Sequence, residues 1–435
     1  MTTLSKINTF SVYRPKILLA PLDWGLGHAT RCIPIIKELI NLKCEIWIAA
    51  SGAQKALLKE EFPLIRFVEL PGYNVKYGNN RAFTLLKIFA TIPKILIRIK
   101  REKDWLRRFL ATEKPDAVIS DNRYGLYAPG LISVFITHQL RIKTPFGSWA
   151  DTLLQQIHYR AIRPFSFCWV PDLEGSPSLA GDLSHPRKLP SIPTRYIGLL
   201  SRFERSGFPG MGMTGPLPAL SCDLLVLLSG PEPQRTIFER KVLDQLATYS
   251  GSAILVRGLP GAGLKASLAT EGTGGYADKS IGKDTGKGDQ RLQMPVPPGV
   301  RVYNHLPAGA LNRIINEAGI VLSRAGYSTI MDLLKLGKKA ILVPTPGQTE
   351  QEYLGQYLSE KGIALCRKQA GFSLSEALSG ARAFPFAVFN KEGEGSVAYA
   401  KGENNGQAVG LKPTLEADLL QKALRSFLQS LVIPS

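Results

Sequence analysis

The sequence predicts an α/β protein built from two Rossmann-like domains, each a doubly wound parallel sheet, that face each other across a cleft. Three observations support this fold class. Short apolar runs alternate with longer helical patterns through residues 14–203, which is the rhythm of parallel βαβ units. The same rhythm starts again at residue 221 and continues to residue 391. Between the two halves, residues 204–220 are crowded with Gly and Pro and show no periodicity, which is typical of a connection between domains.

Length and composition narrow the class of protein. A chain of 435 residues exceeds one ordinary core, and its net charge of +19 suits nucleic acid, an anionic membrane or a phosphorylated small molecule. No recognised nucleic-acid motif occurs, so we expect no nucleic-acid partner. The five cysteines lie far apart with no Cys-x-x-Cys, which predicts no disulfide framework or zinc site and favours a reducing cytoplasm. No apolar run reaches the ~20 residues of a membrane span, and residues 1–14 do not read as a signal peptide.

In the first half, strands are expected at 16–20, 44–50, 117–120, 134–137 and 167–170, with a helix over 31–42. The first strand runs into the turn Gly25-Leu26-Gly27. The dinucleotide-binding fingerprint needs a third glycine, but Thr30 stands there, and the 44–50 strand does not end in an acidic residue. The turn therefore does not predict a dinucleotide cofactor, and we expect no cofactor at all.

Three polar residues of the first half are candidates for catalysis. His28 lies where the helix begins, and an imidazole with a pKa near ~6.5 can accept a hydroxyl proton at neutral pH. Asp121 and His138 each follow a predicted strand, at the sheet edge where open α/β sheets bind ligands. The alternative for each residue is structural, as a helix cap or a packed core side chain.

A basic segment covers residues 81–111, with nine basic residues against two acidic ones, interleaved with Leu, Ile, Phe and Trp. Because Pro93 interrupts the helical pattern, two helices are predicted. One face would be apolar and the other cationic, as in helices that lie on an anionic bilayer. The alternative is a solvated basic helix pair.

The second half continues with predicted strands at 222–230, 253–257, 300–303, 320–323 and 340–344. Residues 258–299 are rich in Gly, Lys, Ser and Pro and predict a flexible insertion. Residues 392–435 predict a loop or weak hairpin and a final helix over 415–428 that packs back across the first domain.

The densest signal for a ligand is the strand and turn that end in Ser323-Arg324-Ala325-Gly326-Tyr327-Ser328-Thr329. Free backbone N–H groups, hydroxyls and a helix N-terminus there form a cradle for a diphosphate, and Asp332 on the same helix suits ribose hydroxyls. Gln348, Glu350 and Gln351 after the next strand offer amides and carboxylates to a sugar. The alternative is a plain strand-turn-helix capped by Ser328 or Thr329.

These motifs resemble the family 28 glycosyltransferases of GT-B fold, among them the N-acetylglucosaminyltransferases of peptidoglycan lipid-precursor synthesis. The resemblance covers most of the chain outside 258–299. It implies that the first domain binds the acceptor and the second a nucleotide-sugar, usually a UDP-sugar. Two departures mark a divergent member: Asp23-Trp24 replaces further glycines, and Gln351-Glu352 replaces a pair of glutamines.

The resemblance also implies roles for individual residues. On the acceptor side it matches Gly25, Leu26 and Gly27, and we also expect Thr30 and His138 to bind the acceptor. On the donor side, the diphosphate would be bound by Arg202 of the interdomain segment and by the phosphate turn, which consists of Ser323, Arg324, Ala325, Gly326, Ser328 and Thr329. The turn Ser229-Gly230 opens the second domain, and His305-Leu306 would bind the uracil. Asp332 would bind the ribose, and Gln348, Gln351 and Glu352 would bind the sugar.

The sequence therefore predicts an inverting, metal-independent glycosyltransferase that uses a UDP-sugar, with His28 as general base assisted by Asp121. The acceptor is expected to be lipid-linked or close to a membrane, and the chain to be cytoplasmic or peripheral on the inner face of the plasma membrane. Domain closure about 204–220 would exclude water. A UDP-sugar epimerase of the same fold and a non-catalytic nucleotide-sugar-binding protein are the alternatives.

Overall fold

The structure is a computed structural model that describes residues 13–72, 84–175, 178–204, 221–259, 266–268, 296–386, 388–389, 397–398 and 413–432. Within these residues the chain forms two seven-stranded sheets, one from each half of the sequence. The predicted connection 204–220 lies outside the described residues except for Glu204, and so does most of the predicted insertion 258–299.

The first sheet is entirely parallel. Its strands are β1 (Lys16–Pro21), β2 (Glu45–Ala50), β3 (Arg66–Glu69), β4 (Ala117–Asp121), β5 (Ile132–Ile136), β6 (Phe167–Val170) and β7 (Thr194–Tyr196), in the order β3-β2-β1-β4-β5-β6-β7. Four helices connect them: α1 (Leu26–Asn41), α2 (Gly52–Glu61), α3 (Thr84–Thr112) and α4 (Ser148–Ile162). The strand order reverses direction between β1 and β4, which places a ligand-binding switch point there.

Both faces of this sheet are covered, because successive side chains of a strand point to opposite faces. Ile17 and Leu19 of β1 belong to the apolar cluster that includes α1, whereas Leu18 packs with Leu106 of α3. On the α3 face, Phe135 of β5 packs with Ile162 of α4. Helices α3 and α4 therefore lie side by side on the face opposite α1.

The second sheet is parallel except for its edge strand β10, which pairs antiparallel with β11. Its strands are β8 (Leu224–Leu227), β9 (Ala253–Val256), β10 (Ala266–Leu268), β11 (Val300–Tyr303), β12 (Ile320–Ser323), β13 (Ala340–Leu342) and β14 (Leu365–Cys366), in the order β10-β11-β9-β8-β12-β13-β14. The helices are α5 (Gln234–Leu246), α6 (Ala308–Glu317), α7 (Tyr327–Lys335), α8 (Thr349–Glu360), α9 (Leu374–Ala383) and α10 (Pro413–Val432), and a small hairpin joins β15 (Val388–Phe389) to β16 (Val397–Ala398). The predicted fold class, with two doubly wound parallel-sheet domains, is confirmed.

The two halves share buried apolar contacts. One cluster contains Ile33 of α1 together with Ile330 and Met331 of α7. The last helix returns to the first half, where Phe427 of α10 packs edge to face on Trp169 of β6 with ring centroids 5.5 Å apart. The two halves are therefore in contact through α1 and α7, and α10 packs against the first half.

The prediction of two helices around Pro93 is wrong, since α3 runs without interruption from Thr84 to Thr112. A proline removes one backbone hydrogen bond and bends a helix, but the turns on both sides still form their own bonds. In the described part of the chain, no helix is both long enough and apolar enough to cross a membrane.

Candidate active site

The loop between β1 and α1 is shaped by a glycine and held by a neighbouring helix. Gly25 caps the N-terminus of α1 with φ 100°, a left-handed conformation that favours glycine. Gln54 of α2 donates from Nε2 to the carbonyl oxygen of Gly25 at 2.7 Å and also to that of Leu22. The loop thus presents His28 in the first turn of α1, at the carboxyl edge of the sheet.

A buried ion pair stands behind His28. Asp121, the last residue of β4, is fully buried, and Arg31, one turn after His28, is only 2% exposed. Arg31 Nε donates to Asp121 Oδ2 at 2.8 Å, and Nη2 donates to Oδ1. This bidentate guanidinium–carboxylate pair fixes both side chains and offsets the desolvation cost of the two buried charges.

His28 Nδ1 has two neighbours, at 3.1 Å from Asp121 Oδ2 and at 2.9 Å from Arg31 Nη2. The nitrogen can donate a proton to the carboxylate or accept one from the guanidinium, and these two states require different tautomers. With the proton on Nδ1, the lone pair of Nε2 is available to a substrate hydroxyl.

Burial lowers the pKa of the His28 imidazole below its ordinary value, and Arg31 lowers it further against the opposing effect of Asp121. Burial alone would raise the pKa of Asp121, but the Arg31 guanidinium and His28 hold it well below its usual range. At neutral pH the arrangement is therefore a neutral imidazole beside a carboxylate. This is the form of the pair that can act as a general base.

His138 joins this group to the second half of the chain. Arg31 Nη1 lies 3.1 Å from His138 Nδ1, and His138 Nε2 lies 2.7 Å from Oε1 of Glu350 at the N-terminus of α8. The His138 ring also stacks on Tyr327, the first residue of α7, with ring centroids 4.1 Å apart. A continuous polar chain, Glu350-His138-Arg31-Asp121-His28, therefore crosses between the two halves.

A second contact joins the two predicted halves of the site. Ser328 Oγ in the first turn of α7 donates to the carbonyl oxygen of Gly27 at 2.9 Å. A Cβ atom added to Gly27 would lie 2.9 Å from Ser328 Oγ, closer than side chains tolerate. The predicted phosphate turn and the predicted acceptor loop are thus in direct contact.

Asp332 lies on α7 against the interdomain segment. Its Oδ1 accepts from Ser201 Oγ at 2.7 Å, and burial raises its pKa to about 6 although Arg202 acts in the opposite direction. The Arg202 guanidinium stacks over Phe203 at 4.7 Å, and its buried Nε has no hydrogen-bond partner among the residues that the structure describes. Burial lowers the pKa of Arg202, which indicates a cation that would gain from an anion.

Arg324 and Ser323 are engaged within the second half. The Arg324 guanidinium is buried over the Phe238 ring at 4.2 Å and donates to backbone carbonyls, one of them that of Gln234 at 2.8 Å. Ser323 Oγ donates to the carbonyl oxygen of Arg324. Burial lowers the pKa of Arg324 to about 10, so the side chain stays cationic and supplies charge behind the turn. Its neighbours Ala325 and Gly326 complete the turn, with Gly326 as the N-cap of α7 and Thr329 in its first turn.

The loop after β13 is braced by the predicted sugar-binding residues. Gln351 Oε1 accepts from the backbone N–H of Thr345 at 2.9 Å, and its Nε2 donates to Gln348 Oε1 at 2.6 Å. Glu352 Oε1 accepts from Gly347 at 3.1 Å. The hydroxyl of Thr345 is buried and has no hydrogen-bond partner in the described ranges. It faces Ser229-Gly230 after β8, where an added Cβ on Gly230 would lie 3.8 Å away.

The remaining predicted residues lie around this centre. Thr30 donates to the carbonyl oxygen of Gly27 at 3.0 Å, which braces the acceptor loop, and Leu26 packs partly buried against the core. His305 Nε2 lies 3.6 Å from Glu60 of α2, and Leu306 is buried. Burial lowers the pKa of His305 against the effect of Glu60.

At the centre of the site, Arg31 was not among the predicted catalytic or binding residues, and Glu350 was predicted to face a sugar rather than to contact His138. Arg31 was missed because a basic residue in a helix is normally solvated, although its position one turn after His28 could have indicated a shared partner. Glu350 was noted only as one of several polar residues of its loop. In the part of the chain that the structure describes, no group of three or more His, Cys, Asp or Glu side chains could hold a metal ion.

Comparisons with known proteins agree with this architecture. Residues 285–391 match the glycosyltransferase family 28 C-terminal domain. An uncharacterized glycosyltransferase of Methanosarcina acetivorans is 24% identical over 376 residues, which cover 80% of this chain and 84% of that protein. A second one, from Methanosarcina mazei, is 25% identical and covers the same shares.

Solved structures of similar fold include the glycotransferase of kitacinnamycin, with a TM-score of 0.53, 14% identity and 96% coverage of both chains. The spinosyn forosaminyltransferase has a TM-score of 0.50 and 13% identity and covers 86% of this chain and 91% of its own. These likenesses show the GT-B fold. The match of residues 285–391 to the family 28 C-terminal domain and the two relatives show that the chain is a glycosyltransferase.

Proposed function

We propose that the chain is an inverting, metal-independent glycosyltransferase that moves a sugar from a UDP-sugar, UDP-N-acetylglucosamine or a similar hexose, to a lipid-linked or membrane-proximal acceptor. The observation that carries the proposal is the contact between the two half-sites. Ser328 of the phosphate turn lies against Gly27, the residue that precedes His28, with 2.9 Å between Oγ and the carbonyl oxygen. A donor held at the turn would place its sugar next to the imidazole.

The proton follows a defined path in this proposal. The acceptor hydroxyl oxygen forms a bond to the anomeric carbon while the bond from that carbon to the diphosphate oxygen breaks, which inverts the configuration. His28 Nε2 takes the hydroxyl proton, and Asp121 stabilises the imidazolium through Nδ1–H at 3.1 Å. The leaving electron pair stays on the diphosphate.

Fixed positive charge supports departure of the diphosphate. Within the described part of the chain, Arg202 has a buried Nε without a hydrogen-bond partner, and the N-terminus of α7 has no side-chain cap. Arg324 adds a buried cation behind the turn. A helix N-terminus and two guanidinium groups are sufficient to stabilise a developing diphosphate, which is why we propose a reaction without a metal ion.

The membrane-proximal acceptor is proposed from the outer face of the first half. On α3, Leu96 and Ile97 are exposed, and the exposed cations Lys100, Arg101, Lys103, Arg107 and Arg108 follow them. On the neighbouring α4, Trp149, Leu153 and Ile157 are 69%, 50% and 48% exposed and form one stripe because they are four residues apart. Apolar side chains beside cations suit an anionic bilayer. Five unpaired cysteines favour a reducing cytoplasm, with the chain peripheral on the inner face of the membrane.

Vesicle sedimentation tests this surface. The unmodified chain should sediment with phosphatidylglycerol vesicles more than with phosphatidylcholine vesicles, and the variant Trp149→Glu/Leu153→Glu should sediment less. Substitution of Ile237, an exposed residue of α5 in the other half, is the control. Equal sedimentation of all three proteins with both vesicles would contradict a membrane-binding face.

Release of UDP tests the reaction. With a UDP-sugar panel and an extract of membrane lipids, UDP should be released only when donor and lipid are both present, with EDTA without effect. Conversion of the donor without any lipid would favour the epimerase, and tight UDP binding without turnover would favour the non-catalytic binder. A thermal-shift panel of nucleotide-sugars measures donor binding separately from turnover, because a ligand that binds the native state raises the melting temperature.

A further inference from the structure

We infer that Asn304, which follows β11, selects the base of the nucleotide-sugar by presenting a side-chain N–H to a carbonyl oxygen of the base. The inference rests on the proposed function, because it needs a nucleotide-sugar bound to the second half. It concerns a side chain that the proposed reaction does not use. Asn304 is only partly buried, so a ligand at this edge of the sheet can contact it.

The orientation of the Asn304 amide is fixed by Arg257, the first residue after β9. Arg257 Nη1 donates to Asn304 Oδ1 at 3.0 Å. A guanidinium can only donate, so the atom that faces it is the amide oxygen, and the nitrogen Nδ2 points away from Arg257. Among the described residues, no group accepts a hydrogen bond from Nδ2. The backbone is also held, since the N–H of Leu259 donates to the carbonyl oxygen of Asn304 at 2.8 Å. Asn304 therefore presents an N–H donor in a fixed direction.

Arg257 is itself held by a buried chain of charges. Its Nε donates to Glu239 Oε1 at 2.6 Å, and Arg235 Nη1 donates to Glu239 Oε2 at 2.8 Å. All three side chains are buried, and each charge has the partner that burial requires. Because Glu239 binds Nε, the guanidinium cannot turn away from Asn304 without breaking a buried, charge-assisted hydrogen bond.

The place of Asn304 along the second sheet suits the base of the donor. The strands run in the order β11-β9-β8-β12-β13, and their carboxyl ends share one edge. The reacting sugar must lie near His28, whose loop contacts Ser328 of α7, the helix that follows β12. The β13 side is closed by the contact of Glu350 with His138. With the diphosphate at the N-terminus of α7, the nucleoside extends over β8 and β9 to β11, where Asn304 lies.

A fixed N–H donor distinguishes bases by the group at their edge. Uracil and thymine carry a carbonyl at C4, which can accept from Nδ2, whereas cytosine carries an amine there, which would place two donors against each other. The Asn304 amide cannot turn over to suit the amine, because its oxygen is bound by Arg257. Loss of one hydrogen bond that leaves a donor unpaired lowers affinity about tenfold. Asn304 therefore favours uracil or thymine over cytosine.

Isothermal titration with UDP and CDP tests this selection without an acceptor and without turnover. The unmodified chain should bind UDP at least about tenfold more tightly than CDP. In Asn304→Asp, one oxygen still accepts from Arg257, and the other replaces Nδ2 and can accept from the amine of cytosine. The ratio of the two affinities should therefore fall at least about tenfold, toward CDP. Repulsion between the new carboxylate and the diphosphate is common to both nucleotides and cancels in the ratio.

Three variants separate the amide from its surroundings. Asn304→Leu keeps the volume but makes no hydrogen bond, so it should bind UDP and CDP nearly alike. Arg257→Met leaves the amide of an intact Asn304 free to turn over, so it should also lower the ratio. The control is Asn316→Asp on α6, which makes the same substitution at a partly buried side chain of the same half and should leave the ratio unchanged. Thermal melting checks that each variant is folded.

The outcomes distinguish this inference from the proposed reaction. Equal ratios of UDP to CDP affinity in the unmodified chain, Asn304→Asp and Asn316→Asp would overturn the inference and leave a UDP-dependent transferase in place. A ratio that moves toward CDP only in the Asn304 and Arg257 variants supports the inference, even if no sugar transfer is found in the turnover assay. Binding of neither nucleotide by the unmodified chain would overturn both.

Discussion

Removal of Asp121 should destabilise the chain strongly, because it leaves a cation buried without its carboxylate. Arg31 is 2% exposed, and its Nε and Nη2 both donate to Asp121. Breaking such a buried pair by removing one partner costs about 3–5 kcal/mol, a large share of a typical folding free energy of ~5–15 kcal/mol. The free energy of unfolding of Asp121→Ala should therefore be about 3–5 kcal/mol lower than that of the unmodified chain.

Urea unfolding followed by circular dichroism measures the loss, with Asp104→Ala as the matched control. Asp104 pairs with Arg107 on the surface of α3, where both side chains are largely solvated, and such pairs contribute ~0–1 kcal/mol. The double variant Arg31→Met/Asp121→Leu removes both charges and should be more stable than Asp121→Ala. The reasoning would be refuted if Asp121→Ala lowered the free energy of unfolding no more than Asp104→Ala does. It would also be refuted if the loss in the double variant equalled the sum of the losses in the two single variants, because Arg31 and Asp121 would then not act as one buried ion pair.

The pH dependence of this contribution has a definite sign. The pKa of Asp121 is held below its usual range by Arg31, so the folded state binds a proton less readily than the unfolded state. The stabilisation is therefore complete above the unfolded pKa of ~3.9 and is lost as the pH falls below that value. In the Asp121→Ala variant, the free energy of unfolding should therefore fall less steeply as the pH drops below ~3.9.

Three further outcomes are expected. His28→Ala should lower kcat by about 10²–10⁴-fold, with the donor affinity measured by calorimetry unchanged, and full turnover would exclude this base. Gly27→Ala should destabilise the chain by about 1–3 kcal/mol in urea unfolding because its Cβ would contact Ser328. The control Gly309→Ala on α6 should be neutral or stabilising, because its added Cβ meets no described atom within 4 Å. Equal effects of the two substitutions would contradict the close contact between Gly27 and Ser328. Burial lowers the pKa of His158 to about 4, so stability should fall by up to about 3 kcal/mol as the pH drops from ~6.5 to 4, and His158→Phe should flatten this slope.

The sequence patterns located the inner strands of both sheets, because apolar runs are local signals, but not the edge strands β3, β7, β10 and β14. The run over 16–20 became β1, and the turn after Ser323 leads into α7, which begins at Tyr327. Pro93 was misleading because neighbouring turns of α3 override a single missing hydrogen bond. Local signals therefore defined the inner strands but neither the sheet edges nor how a helix continues past a proline.

The centre of the site could be predicted only in part. Asp121 and His138 were indicated by their places at strand ends, since the carboxyl ends of parallel strands share one edge, and His28 by its place at the start of a helix. Neither Arg31 nor the contact of Glu350 with His138 was predicted, because these contacts join residues 90 and 212 positions apart. Apart from the position of Arg31 one turn after His28, nothing in the local sequence of α1 or α8 distinguishes these two charges from solvated ones.

Binding of a nucleotide-sugar to Arg202 is the measurement that bears most directly on the proposed function. In isothermal titration with UDP-N-acetylglucosamine, the unmodified chain and an Arg313→Met control, which removes an exposed cation of α6, should bind alike. Arg202→Met should bind about tenfold more weakly or worse, since a charge-assisted hydrogen bond contributes ~1.5–3 kcal/mol. Equal binding by all three proteins, or no binding of any UDP-sugar by the unmodified chain, would contradict a donor site between the two sheets.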